Sequence, residues 1–163
     1  MRANGAAALL LAMLLALPVA AAEPKLLPPE EAFRFSARAL DEHTIEARFA
    51  VAAGYYLYRD KMHFAVTPDK AALAVPALPA GKTKEDQFFG KVETYRGDVV
   101  VTLAIPGGGA GQSVVLAADS QGCADQGVCY PPTIQKVTLV LPAAGKGPGA
   151  VVEAFPAKKR WFN

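Results

Sequence analysis

The stretch FRFSARALDEHTIEARFAVA, residues 33–52, decides the fold class because its apolar residues recur at every second position. In the first half, Phe33 and Phe35 fall on one face of an extended chain. In the second half, Ile45 and Phe49 share a face and polar residues alternate with them. A period of two is typical of half-buried strands, and the polar DEHT between the halves is typical of a turn.

Five more segments are predicted to be strands, and Gly- or Pro-containing loops such as PAGKTKEDQFFGK (79–91) and PGGGAGQ (106–112) separate them. About seven or eight strands with no sustained helical period predict an all-β, immunoglobulin-like antiparallel β-sandwich. The likeness is architectural only, because the sole tryptophan, Trp161, does not lie between the cysteines. The further predicted strands are YYLYRDKMHFAV (55–66), KAALAVPAL (70–78), VETYRGDVVVTLAIP (92–106), SVVLAADS (113–120) and TIQKVTLVLP (133–142).

The two ends of the chain differ from this pattern. Residues 1–22 combine one arginine, an apolar run and an A-x-A site, which predicts a cleaved secretory signal peptide. No second apolar span follows it, so we expect the exported mature chain to have no membrane span. The folded domain is predicted over 23–142, and the Ala- and Gly-rich segment 143–163 is predicted to be a flexible C-terminal tail or linker.

Charge and histidine content argue against two function classes, nucleic-acid binding and metal binding. The net charge is only +2 and the basic residues are scattered, which gives no support to nucleic-acid binding. His43 and His63 are isolated from each other and from any carboxylate motif, so no metal site is expected.

The segment QGCADQGVCYPP (121–132) contains the only two cysteines, Cys123 and Cys129. As a structural cross-link they would close a loop of about 7 residues, which the chain-entropy model values at roughly 2.4 kcal/mol, against about 4.7 for a loop of 100 residues. The pair also lies between two predicted strands, where a turn already closes the chain. These magnitudes favour a redox role, but a plain disulfide in an exported domain stays open as the alternative.

A redox role requires an accessible thiolate and a second thiol that resolves the mixed disulfide. Proximity in sequence supplies the second thiol, although the spacing is not that of a C-x-x-C motif. Asp119 and Asp125 lie nearby and would raise the pKa of the thiols, keeping them unreactive until a partner docks.

Two aromatic groups stand out, YYLY (55–58) and the pair Phe88 and Phe89 in the predicted loop 79–91. Adjacent side chains on an extended segment point to opposite faces, so Phe88 and Phe89 cannot both face one core. At least one of them is expected to cover something outside it.

Three segments together resemble a known family, the N-terminal periplasmic domain of the thiol:disulfide interchange protein DsbD. They occur in the order and spacing of that family, and the resemblance extends over nearly all of 27–142. It implies an immunoglobulin-like β-sandwich with a redox-active disulfide, Cys123–Cys129, and no other cofactor. The segments are GYYLYRDKM (54–62), DQFFGKVETYRGDV (86–99) and QGCADQGVCYPP (121–132).

The resemblance also implies a function, that of a protein-disulfide reductase acting as one component of an electron-transfer chain in the periplasm. Such a domain takes reducing equivalents from a thioredoxin-like donor and passes them to thioredoxin-fold acceptors. Those acceptors are disulfide isomerases and thioredoxin-like proteins of cytochrome c maturation. We expect it to act as a monomer. The alternative, from another class, is a non-catalytic exported adaptor with a structural disulfide.

The resemblance also implies roles for individual residues whose positions match the family motifs. Cys129 matches the cysteine that forms the mixed disulfide with a partner, and Cys123 matches the resolving cysteine. Phe88 matches the tip of a cap loop that shields the disulfide and moves aside on docking. Other positions match residues that line the site or belong to that loop: Tyr56, Tyr58, Asp86, Phe89 and Gly90.

The chain departs from the family pattern in three respects. Gln87 stands where some relatives have an acid, which leaves Asp86 as the main local charge, and Ser120 replaces an aromatic residue. No membrane or thioredoxin-like segment follows, so electrons are expected to arrive from another polypeptide unless the sequence is a piece of a longer one.

Overall fold

The computed structural model describes residues 25–155. Eleven strands and one four-residue helix account for most of this range, which confirms the predicted all-β class. The signal peptide predicted over 1–22 lies outside the described residues. The elements are α1 Pro29–Ala32, β1 Phe33–Ala39, β2 Thr44–Val51, β3 Tyr55–Tyr58, β4 His63–Thr67, β5 Lys82–Asp86, β6 Gly90–Tyr95, β7 Asp98–Ala104, β8 Ser113–Ser120, β9 Gly122–Ala124, β10 Thr133–Val140 and β11 Val152–Glu153.

Two antiparallel sheets, ordered β11-β1-β2-β7 and β10-β8-β4, share one hydrophobic core. Every second residue of β1, β2, β7, β8 and β10 is buried, as the period of two predicted. Phe35 of β1 lies at the centre, with its ring centroid 4.9 Å from that of Phe49 and 6.5 Å from that of Phe64 in β4. The two alternating segments at 33–52 therefore form the hairpin on which the sandwich is built.

The third sheet, ordered β5-β6-β3-β9, carries residues of a second and smaller core. All four residues of its inner strand β3 are buried, so the strand shows no alternation. Tyr55 and Leu57 join the main core, whereas Tyr56 and Tyr58 pack with Cys123 in a separate cluster. Because successive side chains of a strand point to opposite faces, β3 connects the core to the cysteine pair.

Two predicted strands are each divided in two. A 3-10 turn at Arg59–Lys61 separates β3 from β4, and the turn at Arg96 and Gly97 separates β6 from β7. Gly97 has a φ of 66°, a conformation that favours glycine and reverses the chain there.

The strand predicted over 70–78 is wrong. A 3-10 turn covers Asp69–Ala71, and no strand forms between Ala71 and Lys82. Pro76 and Pro79 have no N–H to donate to a ladder, which explains why the apolar run does not pair. The loop predicted over 79–91 is also wrong, because it contains β5 and the start of β6.

The segment predicted as a flexible tail, 143–163, is not free over its described part. Strand β11 pairs antiparallel with β1 through Ala37 and Val152, and the N–H of Gly149 donates to the carbonyl of Ala39 at 2.8 Å. The edge of β1 offers unpaired backbone groups, and this segment satisfies some of them.

Candidate functional site

The cysteine loop is attached to the third sheet by strand β9. Cys123 lies opposite Tyr56 of β3 in antiparallel register. The backbones approach closely at Gly122, where an added Cβ would lie 2.4 Å from the carbonyl oxygen of Tyr56 and 2.7 Å from the ring of Phe33. Glycine is therefore required at this position. The cysteine loop connects the paired strands β8 and β10, as its place in the sequence predicted, and β9 within that loop also pairs with β3 of the third sheet.

Backbone hydrogen bonds also cross the turn between the cysteines. The N–H of Ala124 donates to the carbonyl of Val128 at 2.8 Å, and the N–H of Tyr130 donates to that of Gly122 at 2.9 Å. Cys123 and Cys129 form a disulfide across this turn, with their Cα atoms 4.0 Å apart. The bond thus spans a short turn that is already hydrogen-bonded.

The two sulfur-bearing residues differ in exposure. Cys123 is fully buried beneath Tyr56 and Tyr58, whereas Cys129 is half-buried at the edge of the same cluster. An incoming thiol or disulfide therefore has its access at Cys129. The order of roles that the resemblance implied for the two cysteines stays a prediction.

Tyr58 links the disulfide to a buried carboxylate. Its hydroxyl lies 3.1 Å from Sγ of Cys123 and 3.8 Å from Sγ of Cys129. The same hydroxyl donates to Oδ2 of Asp86 at 2.9 Å, and the hydroxyl of Tyr56 donates to this oxygen at 2.9 Å as well.

Asp86 is the most heavily hydrogen-bonded side chain of the site. Its other oxygen, Oδ1, accepts the backbone N–H groups of Phe88 at 2.9 Å and Phe89 at 3.2 Å, and its side chain is fully buried. Burial alone would raise the pKa of Asp86, but these N–H donors and the two tyrosine hydroxyls together lower that pKa to about 2. Asp86 is therefore ionised at neutral pH and accepts hydrogen bonds only.

A tyrosine hydroxyl has one proton to donate, and Tyr58 gives it to Asp86. Burial and the neighbouring Tyr56 and Asp86 raise the pKa of Tyr58, so this proton stays in place. When Cys123 is a thiol, its S–H can donate to the free lone pair of the Tyr58 oxygen.

The loop from Gln87 to Phe89 joins β5 to β6 next to the cysteines. Gly90, with a φ of 69°, allows the chain to reverse there. The Phe89 ring meets the Tyr58 ring edge to face at a centroid distance of 5.1 Å, and Nζ of Lys61 lies 5.0 Å from the Phe89 centroid. Phe88 remains 56% exposed. Of the two phenylalanines, Phe89 packs on the tyrosine that touches the disulfide.

Two cations that contact the ring of Tyr56, Lys84 and Arg96, were not predicted from the sequence. Nζ of Lys84 lies 4.8 Å from the ring centroid of Tyr56 and 3.4 Å from Oδ2 of Asp86. The guanidinium carbon of Arg96 lies 5.2 Å from the same ring, and Arg96 forms an ion pair with Asp125. Lys84 stands two residues before Asp86, so a correct strand assignment for β5 would have placed both on one face.

The structure places the eight site residues that the resemblance implied around one disulfide and one carboxylate. Asp86 occupies the central position, and Asp125 is engaged by Arg96, which lowers the pKa of Asp125. Between residues 25 and 155, no group of three or more His, Cys, Asp or Glu side chains could hold a metal ion. No helix in this range is long and apolar enough to cross a membrane.

Comparison with known proteins gives consistent matches. The family described as "Thiol:disulfide interchange protein DsbD, N-terminal" matches residues 23–141. The thiol:disulfide interchange protein DsbD of Ralstonia nicotianae is 46% identical over 137 residues, which cover 83% of this chain and 22% of that protein. DsbD 2 of Pseudomonas aeruginosa is 41% identical over 134 residues, or 82% of this chain and 21% of that protein. The chain thus spans about a fifth of the length of these relatives.

Solved structures agree with the sequence matches. The N-terminal domain of Neisseria meningitidis DsbD in the reduced form has a TM-score of 0.66 and 33% identity, over 78% of this chain and 94% of that one. A complex between the DsbD N-terminal and PilB N-terminal domains from the same species matches with a TM-score of 0.59 and 34% identity, over 70% of this chain and 87% of that one. These likenesses support the predicted immunoglobulin-like sandwich. Residues 23–141 therefore place this chain in the family of DsbD N-terminal domains.

Proposed function

We propose that this domain is a thiol–disulfide exchange relay that passes reducing equivalents between thioredoxin-fold proteins. The observation that carries the proposal is the asymmetric disulfide, in which Cys123 is fully buried and Cys129 is half-buried. Such a pair has one sulfur that a partner can reach and one that is held in place to resolve the mixed disulfide.

The exchange steps balance with two electrons and two protons. A thiolate of the reduced donor attacks Sγ of Cys129, the Cys123–Cys129 bond breaks, and Cys123 leaves and takes up a proton. The second donor thiol then attacks the mixed disulfide, which releases oxidised donor and the domain as a dithiol. Delivery to an acceptor reverses these steps: Cys129 attacks the acceptor disulfide and Cys123 resolves the mixed disulfide.

Membership of the DsbD family supports the choice of partners and compartment. A DsbD N-terminal domain from Neisseria meningitidis has been solved in complex with a PilB N-terminal domain, so a domain of this fold docks onto a second protein domain. The acceptors proposed for this chain are periplasmic disulfide isomerases and thioredoxin-like proteins of cytochrome c maturation. A separate thioredoxin-like polypeptide or domain is the proposed donor, and the domain acts as a monomer.

The loop of Phe88 and Phe89 is proposed to restrict access to the disulfide until a partner displaces it. Phe89 packs against Tyr58, which itself touches Cys123, and Phe88 extends from the same turn. Phe88→Ala and Phe89→Ala are each expected to speed reduction of the disulfide by a small thiol, by roughly three- to tenfold, because less apolar surface must be displaced. Stopped-flow reduction with dithiothreitol measures this rate.

Val140→Ala is a matched control, since Val140 is 64% exposed on β10 and lies outside the cysteine cluster. Its rate should equal that of the wild type. If both phenylalanine variants are reduced at the wild-type rate, the loop of Phe88 and Phe89 does not restrict access to the disulfide.

The relay itself is tested by mixing the reduced domain with an oxidised thioredoxin-fold protein and, separately, with oxidised glutathione. The relay predicts that oxidation by the protein is faster at equal concentration, because docking energy opens the site. The second candidate function is an adaptor with a structural disulfide, favoured only by the burial of Cys123. An adaptor would show no preference for the protein oxidant.

A further inference from the structure

The segment between the cysteines, residues 124–128, must keep its shape when the sulfur–sulfur bond is absent. This inference rests on the proposed relay, in which the domain passes through a dithiol form in every cycle. We propose that Arg96 is a positioning residue that holds this segment in the dithiol form and so keeps Cys129 within reach of Cys123.

Arg96 binds the carboxylate of Asp125 in this segment in the bidentate geometry that guanidinium groups form with carboxylates. Its Nη1 donates to Oδ2 of Asp125 at 3.0 Å, and its Nη2 donates to Oδ1 at 2.6 Å. Nη1 also donates to the backbone carbonyl of Tyr55 at 3.2 Å, and the guanidinium lies over the ring of Tyr56. One side chain therefore joins the cysteine segment to strand β3.

Arg96 is itself fixed to the scaffold because it lies in the tight turn between β6 and β7. On the other side of the contact, Asp125 is held twice. Its backbone N–H donates to the carbonyl of Gly54 at 2.8 Å, and its carboxylate accepts both bonds from Arg96. Asp125 lies two residues after Cys123, so fixing it limits how far the following residues up to Cys129 can move.

The redox equilibrium of the cysteine pair depends on this restraint. Two glutathione thiols reduce the Cys123–Cys129 disulfide, giving the protein dithiol and one glutathione disulfide, with two electrons and two protons transferred to the protein. A segment that is already ordered in the dithiol loses little conformational freedom when the disulfide forms. Without the restraint the dithiol gains freedom, and the equilibrium shifts towards the dithiol.

The test equilibrates the folded domain in glutathione buffers of stepped ratio and counts protein thiols by alkylation and mass spectrometry. Arg96→Ala and Asp125→Ala are each expected to raise the dithiol-to-disulfide ratio by about two- to fivefold, the size typical of a half-exposed ion pair. The double variant should shift the ratio no further than the larger single shift, because both substitutions remove one contact.

A purely electrostatic role predicts a different pattern. Loss of the positive charge of Arg96 would disfavour thiolates and loss of the negative charge of Asp125 would favour them, so the two variants would move the ratio in opposite directions. Arg96→Lys keeps the positive charge but cannot form the bidentate hydrogen bonds. The proposal expects it to raise the dithiol-to-disulfide ratio as Arg96→Ala does.

The matched control is Arg48→Ala, which breaks the exposed Arg48–Asp98 pair between β2 and β7 and should leave the ratio unchanged. Asp125→Asn is the variant to use if an alanine variant does not fold. Unchanged or opposite shifts, with a wild type that cycles normally, would overturn the role of Arg96 and leave the relay standing. A wild-type disulfide that resists reduction in the folded domain would overturn the relay and, with it, the need for a restraint.

Discussion

Cys123→Ala is expected to turn a transient complex into a stable one. With the buried cysteine removed, Cys129 can still attack a partner disulfide, but no second thiol on the domain can release the partner. Electron transfer through the domain should fall by roughly a thousandfold or more, since the variant lacks one of two residues that act as a unit. Non-reducing gels of the variant mixed with an oxidised thioredoxin-fold protein, followed by mass spectrometry, will reveal a mixed disulfide through Cys129.

Cys129→Ala is the matched control for this experiment. It removes the same number of sulfur atoms but leaves only Cys123, which is fully buried beneath Tyr56 and Tyr58. We expect an equal loss of electron transfer with no mixed disulfide. Accumulation of the mixed disulfide in Cys129→Ala, and not in Cys123→Ala, would reverse the assigned roles.

Asp86→Ala is expected to lower the free energy of unfolding by roughly 2 to 4 kcal/mol, because several donors lose a buried, ionised acceptor at once. These donors are the hydroxyls of Tyr56 and Tyr58 and the N–H groups of Phe88 and Phe89. The loop and the tyrosines are thus destabilised together. Urea denaturation at pH 7, followed by tyrosine fluorescence, measures the loss.

The contribution of Asp86 should depend on pH in a defined direction. Its pKa is about 2 in the folded domain, lowered from an ordinary value of 3.8. Stability from this carboxylate is therefore fully present above about pH 4 and disappears as the pH falls through 2. The stability difference between wild type and Asp86→Asn should be large at pH 7 and small near pH 2.

Asp98→Asn provides the matched control for the Asp86 variants, because the Asp98 side chain is 57% exposed and pairs with Arg48 at the surface. Its effect at pH 7 should be under about 1 kcal/mol. If Asp86→Asn proved as mild as Asp98→Asn, the central place of the Asp86 network would be contradicted.

Period-two patterning predicted the sandwich where one face of a strand is buried and the other is not, as in β1 and β2. It did not distinguish β3, where both faces are covered and every residue is buried. It also missed β5, because the sequence KTKED is polar and pairs only through its backbone with β6. A polar strand that pairs through its backbone leaves no periodic signal of apolar residues in the sequence.

The site was predictable in its members and less so in its arrangement. Family motifs identified the cysteines, the tyrosines and Asp86, but the contacts of Arg96 and Lys84 depend on how β5, β6 and the cysteine loop meet in space. Likewise, the sequence correctly placed the cysteines in the connection between the paired strands β8 and β10, but it did not predict that β9 within this connection pairs with β3 in another sheet. That pairing is what buries Cys123 under the tyrosines.

The central claim is that the Cys123–Cys129 bond is a working redox group and does not hold the domain together. Backbone hydrogen bonds already close the turn that it spans, at Ala124 to Val128 and at Tyr130 to Gly122. The most direct measurement is the urea denaturation of the fully reduced domain at neutral pH, with near-UV circular dichroism on the same samples. The relay predicts a native-like dithiol that is less stable than the disulfide form by no more than about 2.4 kcal/mol. A dithiol form that is unfolded without urea would contradict it.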